Sequence, residues 1–204
     1  MHLCHAVCGL NFSAFPYQPI GGCTRVQEQL QDWNGLFPKS TCCQNALLVF
    51  LHALALQALK SPTGYVFIAE DRWNDCSGPF TLQPNVSAHT CGFDHFYRGS
   101  GQCSTLQLSN IKTDVTGKCS LFSSSSFDYA CGNCTSAISK ETDSLLDYLK
   151  VDKNDHGEKA TCLVAVIASV IAEKMNGSSE NGDFSRCLPD LVEPGETSIM
   201  FQDS

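Results

Sequence analysis

Clustered positive charge is missing from this chain: its 13 lysines and arginines are scattered among 21 acidic residues, for a formal net charge of −8. Nucleic acid and anionic membrane surfaces both require grouped cations, so neither is an expected partner. Long apolar runs are missing too. The two most apolar stretches, Ala46 to Leu59 and Cys162 to Ala172, fall short of the roughly 20 residues that span a bilayer and read as buried helices. Met1 to Val7 has neither the basic start nor the apolar stretch of a secretory signal, and is read as a leader remnant or a disordered N-terminus. Catalytic signatures are equally scarce. His2, His5, His52, His89, His95 and His156 stand outside any H-E-x-x-H, G-x-S-x-G or Cys-His arrangement. Gly99-Ser100-Gly101 follows no strand and opens no helix, so it is not a phosphate loop. His52 reads as a core histidine. The expectation is a chain without enzymatic activity, metal or cofactor.

Cysteine, by contrast, is abundant: 13 in 204 residues, spread from end to end. A cytosolic metalloprotein would gather such thiols into compact ligand clusters, whereas dispersed cysteines brace folds in oxidising compartments. The expected location is extracellular, at the outer face of a plasma membrane or beyond it. The apolar share of 43% is enough to bury a core.

Periodicity predicts an all-α fold, a disulfide-braced helical bundle with long irregular loops and room for one short β-hairpin or strand pair. Val26, Leu30 and Trp33 form one stripe of a short helix over Thr24 to Trp33. A second helix, capped by Ser40 or Thr41, runs to about Lys60 and is apolar enough to be central. Gly64 to Phe122 reads as loop-rich, with a strand at Tyr65 to Ile68, a turn at Ser77-Gly78-Pro79 and helical turns within Ser104 to Ile111. Helices resume from Thr135, carrying Ile138, Leu145, Leu146 and Leu149, and again over Glu158 to Met175, ended by Asn176-Gly177. The implied organisation is a domain over 8–190 with a linker over 191–204.

Two cysteine motifs carry geometry. On a helix the side chains of Cys42 and Cys43 diverge by about 100°, and a vicinal bond would be strained, so they are expected to tie the helix to two different partners. Cys131-Gly132-Asn133-Cys134 has the spacing of a thiol-redox motif behind the aromatics Phe127 and Tyr129. Ser123 to Ser126 occupies the place of the strand that a thioredoxin site requires, which favours two structural half-cystines. N-glycosylation sequons at Asn11, Asn85, Asn133 and Asn176 agree with secretion. Arg72, Trp73, His89, Phe93, His95, Phe96, Tyr97 and Arg98 concentrate aromatic and cationic groups in the loop-rich segment. Of these, Arg72, Trp73, His95, Phe96, Tyr97 and Arg98 are the candidate partner-binding residues, with packing under the loops as the competing reading of the aromatics.

The stretch Cys8-Gly9-Leu10-Asn11-Phe12-Ser13, then Cys23, then Cys42-Cys43-Gln44-Asn45-Ala46-Leu47-Leu48, resembles the opening of the plant SPARK domain. Ala130-Cys131-x-x-Cys134-x-x-Ala137, Cys162 at the start of an apolar helix, and Cys187-Leu188-Pro189 resemble its second half. The resemblance covers about residues 8 to 190, although the middle matches only through its cysteines. It implies a ligand-facing ectodomain of a plant receptor-like kinase or of a GPI-anchored relative, a glycoprotein that binds a protein or carbohydrate in cell-surface signalling. No kinase domain lies in the chain, so only the ectodomain role is implied. The implied disulfide set is Cys8, Cys23, Cys42, Cys43, Cys76, Cys91, Cys103, Cys119, Cys131, Cys134, Cys162 and Cys187, with Cys4 left over. By analogy with other modules holding adjacent cysteines, Cys23 is expected to pair with one of Cys42 and Cys43, and Cys76 with the other. Two alternatives remain: a secreted lipid carrier, whose family shares the order C…C…C-C…C but is half as long and has a C-x-C, and a secreted thiol oxidoreductase using Cys131 and Cys134.

Overall fold

The Ser40 hydroxyl accepts the Cys43 backbone N–H at 3.2 Å, satisfying a donor that the first helical turn leaves open, and helix α1 follows over Thr41–Lys60. The computed structural model describes residues 8–15, 27–33, 36–80, 86–176 and 182–191. Five further helices complete the set among these residues: α2 (Glu70–Phe80), α3 (Thr113–Lys118), α4 (Phe127–Leu149), α5 (His156–Asn176) and α6 (Gly182–Cys187). The fold is all-α, as the periodicity predicts. The strand expected at Tyr65 to Ile68 is reduced to isolated bridges, Tyr65 to Gln107 and Ala69 to Arg98.

Helix α5 is the axis. Every residue from Ala160 to Ala172 is buried, as a helix that is apolar on all sides requires. Both α1 and α4 pack on it, joined by α3 and by the 3-10 turn Cys103–Thr105. Leu47, Phe50, Leu51 and Leu54 of α1 and Leu163, Val166, Ile167 and Val170 of α5 have no exposed surface, so side chains fill the space between the helices. With 20 residues, α1 also has the length and hydropathy of a membrane span; here the rest of the chain covers most of it. At the far end of α5, the Lys174 ammonium lies 5.8 Å from the Phe122 ring centroid and 5.5 Å from that of Phe184, and burial lowers its pKa.

His52 is the polar exception in α1. Its ring is buried and stacks on Phe15 at 4.0 Å; Nδ1 lies 2.8 Å from the Leu48 carbonyl, while Nε2 is buried without a partner among the described residues. Nδ1 must donate, because a carbonyl only accepts. Burial pushes the imidazole pKa below its ordinary value of 6.5, and the bond to Leu48 opposes that shift only in part. Below about pH 6.5 the unfolded chain therefore gains a proton that the folded chain refuses, so stability is present above that pH and is lost as pH falls. Melting followed from pH 7.5 to 5 should show this loss, at up to about 1.4 kcal/mol per pH unit, and His52→Phe should remove that part of the slope. An unchanged slope in the variant would assign the acid sensitivity to other groups.

The structure corrects several expectations. Over 27–33 there is only a 3-10 turn, Leu30–Asp32; the earlier part of the expected Thr24 to Trp33 helix lies outside the described residues. The expected turn at Ser77-Gly78-Pro79 lies inside α2, where Trp73 and Cys76, three residues apart, are both buried. Glu70 and Asp71 stand in its first turn, where the helix dipole favours carboxylates. Helix α4 starts at Phe127 rather than near Thr135. Leu188 and Leu191 are buried, so the ordered core reaches the first residue of the expected linker; residues 192–204 lie outside the described part.

Five disulfides join described residues: Cys8–Cys76, Cys43–Cys91, Cys103–Cys162, Cys119–Cys134 and Cys131–Cys187. Cys42 is disulfide-bonded as well, so the adjacent cysteines diverge as helical geometry demands. Cys23 and Cys4 lie outside the described residues. The pairing expected for Cys76 is corrected: α2 brings it to the N-terminal segment at Cys8, and Cys43 faces the loop at Cys91. The C-x-x-C motif is split, Cys131 to Cys187 and Cys134 to Cys119. A dithiol site needs the two to bond each other, which removes the basis of the oxidoreductase alternative.

Candidate functional site

A polar cleft of about 370 Å³ opens where three distant segments meet: 27–31, the loop 89–95 and the start of α5 at Asp155 and Gly157. The first segment is fastened to the second by backbone chemistry. Glu28 N–H donates to the Thr90 carbonyl at 2.6 Å, and the Trp33 indole N–H donates to the Cys91 carbonyl at 3.3 Å. Gly92 makes this approach possible. Its φ is +77°, and a Cβ there would sit 3.1 Å from the Leu30 nitrogen and 3.2 Å from the Glu28 oxygen. Immediately beside it, Cys91 is bonded to Cys43 in the first turn of α1.

The carboxylates around the cleft are held in place. Glu28 Oε1 accepts the Ser40 backbone N–H at 2.6 Å, leaving Oε2 buried with no partner among the described residues. Asp155 caps α5, its Oδ1 accepting the Glu158 N–H at 3.1 Å. Asp94 pairs with His89 Nδ1 at 3.0 Å, both side chains largely exposed. Glu158, in the first turn of α5, anchors the next loop: it accepts the Cys103 N–H at 2.9 Å, and a Cβ on Gly101 would overlap its carboxylate.

The six residues expected to bind a partner are divided. Trp73 and Phe96 are buried, at 7% and 0% exposure, so their side chains are withdrawn from the surface, and Phe93 lies with them at 0%. His95 is exposed on the cleft wall. Arg98 is exposed with its guanidinium 4.8 Å from the centre of the Tyr65 ring, Tyr97 is half-buried, and Arg72 is exposed beside Gly9. The sequence gives no sign of Glu28, Asp94 or Asp155, because segments more than 50 residues apart build the cleft and no local motif marks it. Of the sequons, Asn11 is exposed and Asn176 is exposed at the end of α5; Asn133 is half-buried in the middle of α4, with its amide donating to the Tyr129 carbonyl at 2.8 Å. Asn85 lies outside the described residues.

Among the described residues no group of three or more His, Cys, Asp or Glu side chains is placed to hold an ion. No curated protein and no solved structure matches the chain. A family model does: SPARK matches residues 3–180, through the helical core, the cleft and four of the five bridges above. The chain belongs to the SPARK family.

Proposed function

We propose that this domain is the recognition part of a plant cell-surface or secreted glycoprotein, binding an extracellular protein or carbohydrate in signalling, and that it catalyses nothing. The observation that carries this reading is the way in which the loop segment 86–107 is built. Its large aromatics point inward as anchors, Cys91 and Cys103 fasten it to α1 and α5, and its polar and cationic side chains His89, His95 and Arg98 face outward. Such pre-ordering lowers the entropy lost on binding, which suits a recognition surface. A lipid carrier is less well supported, because side chains fill the interface between α1 and α5.

A tagged chain expressed behind a secretory leader in plant cells should accumulate outside the cell, lose mass on deglycosylation at Asn11 and Asn176, and label intact cells saturably. Replacing His95, Tyr97 and Arg98 together by alanine should weaken that labelling at least tenfold while costing only about 1 kcal/mol of stability, which leaves the domain folded. Equal labelling by this variant would remove the loop surface from the reading, and the absence of saturable labelling by the parent domain would remove recognition itself.

A further inference from the structure

Resting on the reading of a secreted glycoprotein, we infer that the first N-acetylglucosamine of a glycan carried by Asn176 packs into the hollow beside it. The hollow, of about 190 Å³, lies between the end of α1, the start of α3 with the 3-10 turn Leu108–Asn110 ahead of it, and the last turns of α5. Its lining is of two kinds. Leu59 and Leu108 are half-buried and Ile111 and Ala172 lie deeper, which gives an apolar wall. Ser169 and Thr116 add hydroxyls whose protons already go to the Ala165 and Thr113 carbonyls, at 2.9 and 2.6 Å, so toward the hollow they only accept. The exposed Glu173 carboxylate is a further acceptor, and Lys112 lines the rim paired with Glu141 at 3.3 Å. The complement of such a wall is an apolar face ringed by hydroxyl donors, the chemistry of a pyranose with an acetamido methyl.

The position of Asn176 names the occupant. Ser169, Ala172, Glu173 and Asn176 are spaced i, i+3, i+4, i+7 and make one stripe of α5, which Asn176 closes, exposed, as the first residue of Asn176-Gly177-Ser178. Helical Cα–Cβ bonds tilt toward the N-terminus, so the Asn176 side chain leans back over Ala172 and Glu173, toward the hollow rather than off the helix end. A sugar on its amide nitrogen starts at the rim, and the tether spares it the translational entropy that a free sugar would lose. Asn11, also exposed, lines neither this hollow nor the cleft. The linkage forms when the amide nitrogen attacks C1 of an oligosaccharide on a lipid pyrophosphate: the N–C1 bond forms, the C1–O bond to pyrophosphate breaks, and the amide proton leaves to a base.

The test uses the whole disulfide-bonded domain, secreted by plant cells restricted to high-mannose glycans, in three forms: the intact glycoform, the same protein cut by an endoglycosidase to a single N-acetylglucosamine, and Ser178→Ala, which keeps Asn176 and loses the sequon. The intact and trimmed forms should melt together, and Ser178→Ala about 2–4 °C lower, the shift that one small packed group makes in a domain of this size. In the trimmed form the acetamido methyl should show nuclear Overhauser contacts to the methyls of Leu59 or Leu108, a measurement that holds whether or not the unglycosylated variant folds. Leu108→Ala should shrink the melting difference between glycosylated and unglycosylated protein at least twofold. Ser13→Ala, which removes the Asn11 sequon, should leave the contacts at the hollow unchanged. Absence of those contacts in the trimmed form, or equal melting of trimmed protein and Ser178→Ala, would overturn the inference and leave the glycoprotein reading standing. An intact form more stable than the trimmed one would assign the effect to the outer sugars and overturn it as well. Mass spectrometry that finds Asn176 bare and Asn11 modified would overturn the inference alone; both bare would remove the glycoprotein reading with it.

Discussion

Replacing Cys103 and Cys162 together by alanine should bring the domain close to unfolding. This bridge ties the loop end at Cys103 to the buried middle of α5 across 59 residues, and closing a loop of that size is worth about 4 kcal/mol in the chain-entropy account. Domains of this kind have only about 5–15 kcal/mol in total. The matching pair Cys119 and Cys134 spans 15 residues and should cost less, about 3 kcal/mol. Urea unfolding of the two variants measures both losses and their order. The loops make the larger number credible: 99–104 is tied to α5 by Cys103–Cys162 and by the Glu158 carboxylate, while the Ser104 hydroxyl, which receives the Gly99 and Gly101 N–H groups at 3.0 and 3.2 Å, closes the loop only on itself. Equal stability of the two variants would mean that the bridges act through native strain or packing rather than through the unfolded chain.

Phe96→Ala should be nearly as severe, and for a different reason. The Phe96 ring has no exposed surface and stands 5.6 Å from Phe93, 5.9 Å from Phe50, 6.1 Å from Trp33 and 6.5 Å from Phe67. It therefore joins α1, the cleft segment 27–33 and the segment after α1 in one cluster. Truncating such a ring removes its transfer free energy and leaves a cavity, about 3–5 kcal/mol. Its neighbour Tyr97 is half-buried, and Tyr97→Ala should cost about 1 kcal/mol. Thermal melting separates the two. A small loss at Phe96 with a large loss of partner binding would restore it to the contact surface.

What the sequence reveals tracks how local the cause is. Helices α1 and α5 are legible because their own residues decide them: a serine cap, dense aliphatics and a terminating Ser61 or Asn176. Helix α2 is not, since Asn74, Gly78 and Pro79 argue against a helix, while the burial of Trp73 and Cys76 that favours one appears only after Cys8 and Phe50 are in place. The half-cystines at Cys131 and Cys134 are legible as structural, but their partners depend on where α6 and α3 dock. Phe96 and Tyr97 show the limit most plainly. They are adjacent and both aromatic, and composition treats them alike; the turn at 93–98 sends one inward and leaves the other at the rim. The cleft lies further out of reach, because its acceptors are contributed by the segment ahead of a 3-10 turn, a loop and a helix cap that only the tertiary fold brings together.

The bridges between described residues also divide the chain into two covalent territories. Cys8–Cys76 and Cys43–Cys91 interlock before residue 92, while Cys103–Cys162, Cys119–Cys134 and Cys131–Cys187 interlock after residue 102, and none of the five crosses from one side to the other. Across that seam the two territories are held by the packing of α1 on α5 and by the cleft, whose walls come from both. A protease acting between Cys91 and Cys103 would leave two cross-linked fragments that stay associated in native solution and part in detergent without any reductant. In the intact chain the backbone from residue 92 to residue 102 is thus the one covalent link between the two disulfide-bonded territories, and everything else that joins them is non-covalent packing.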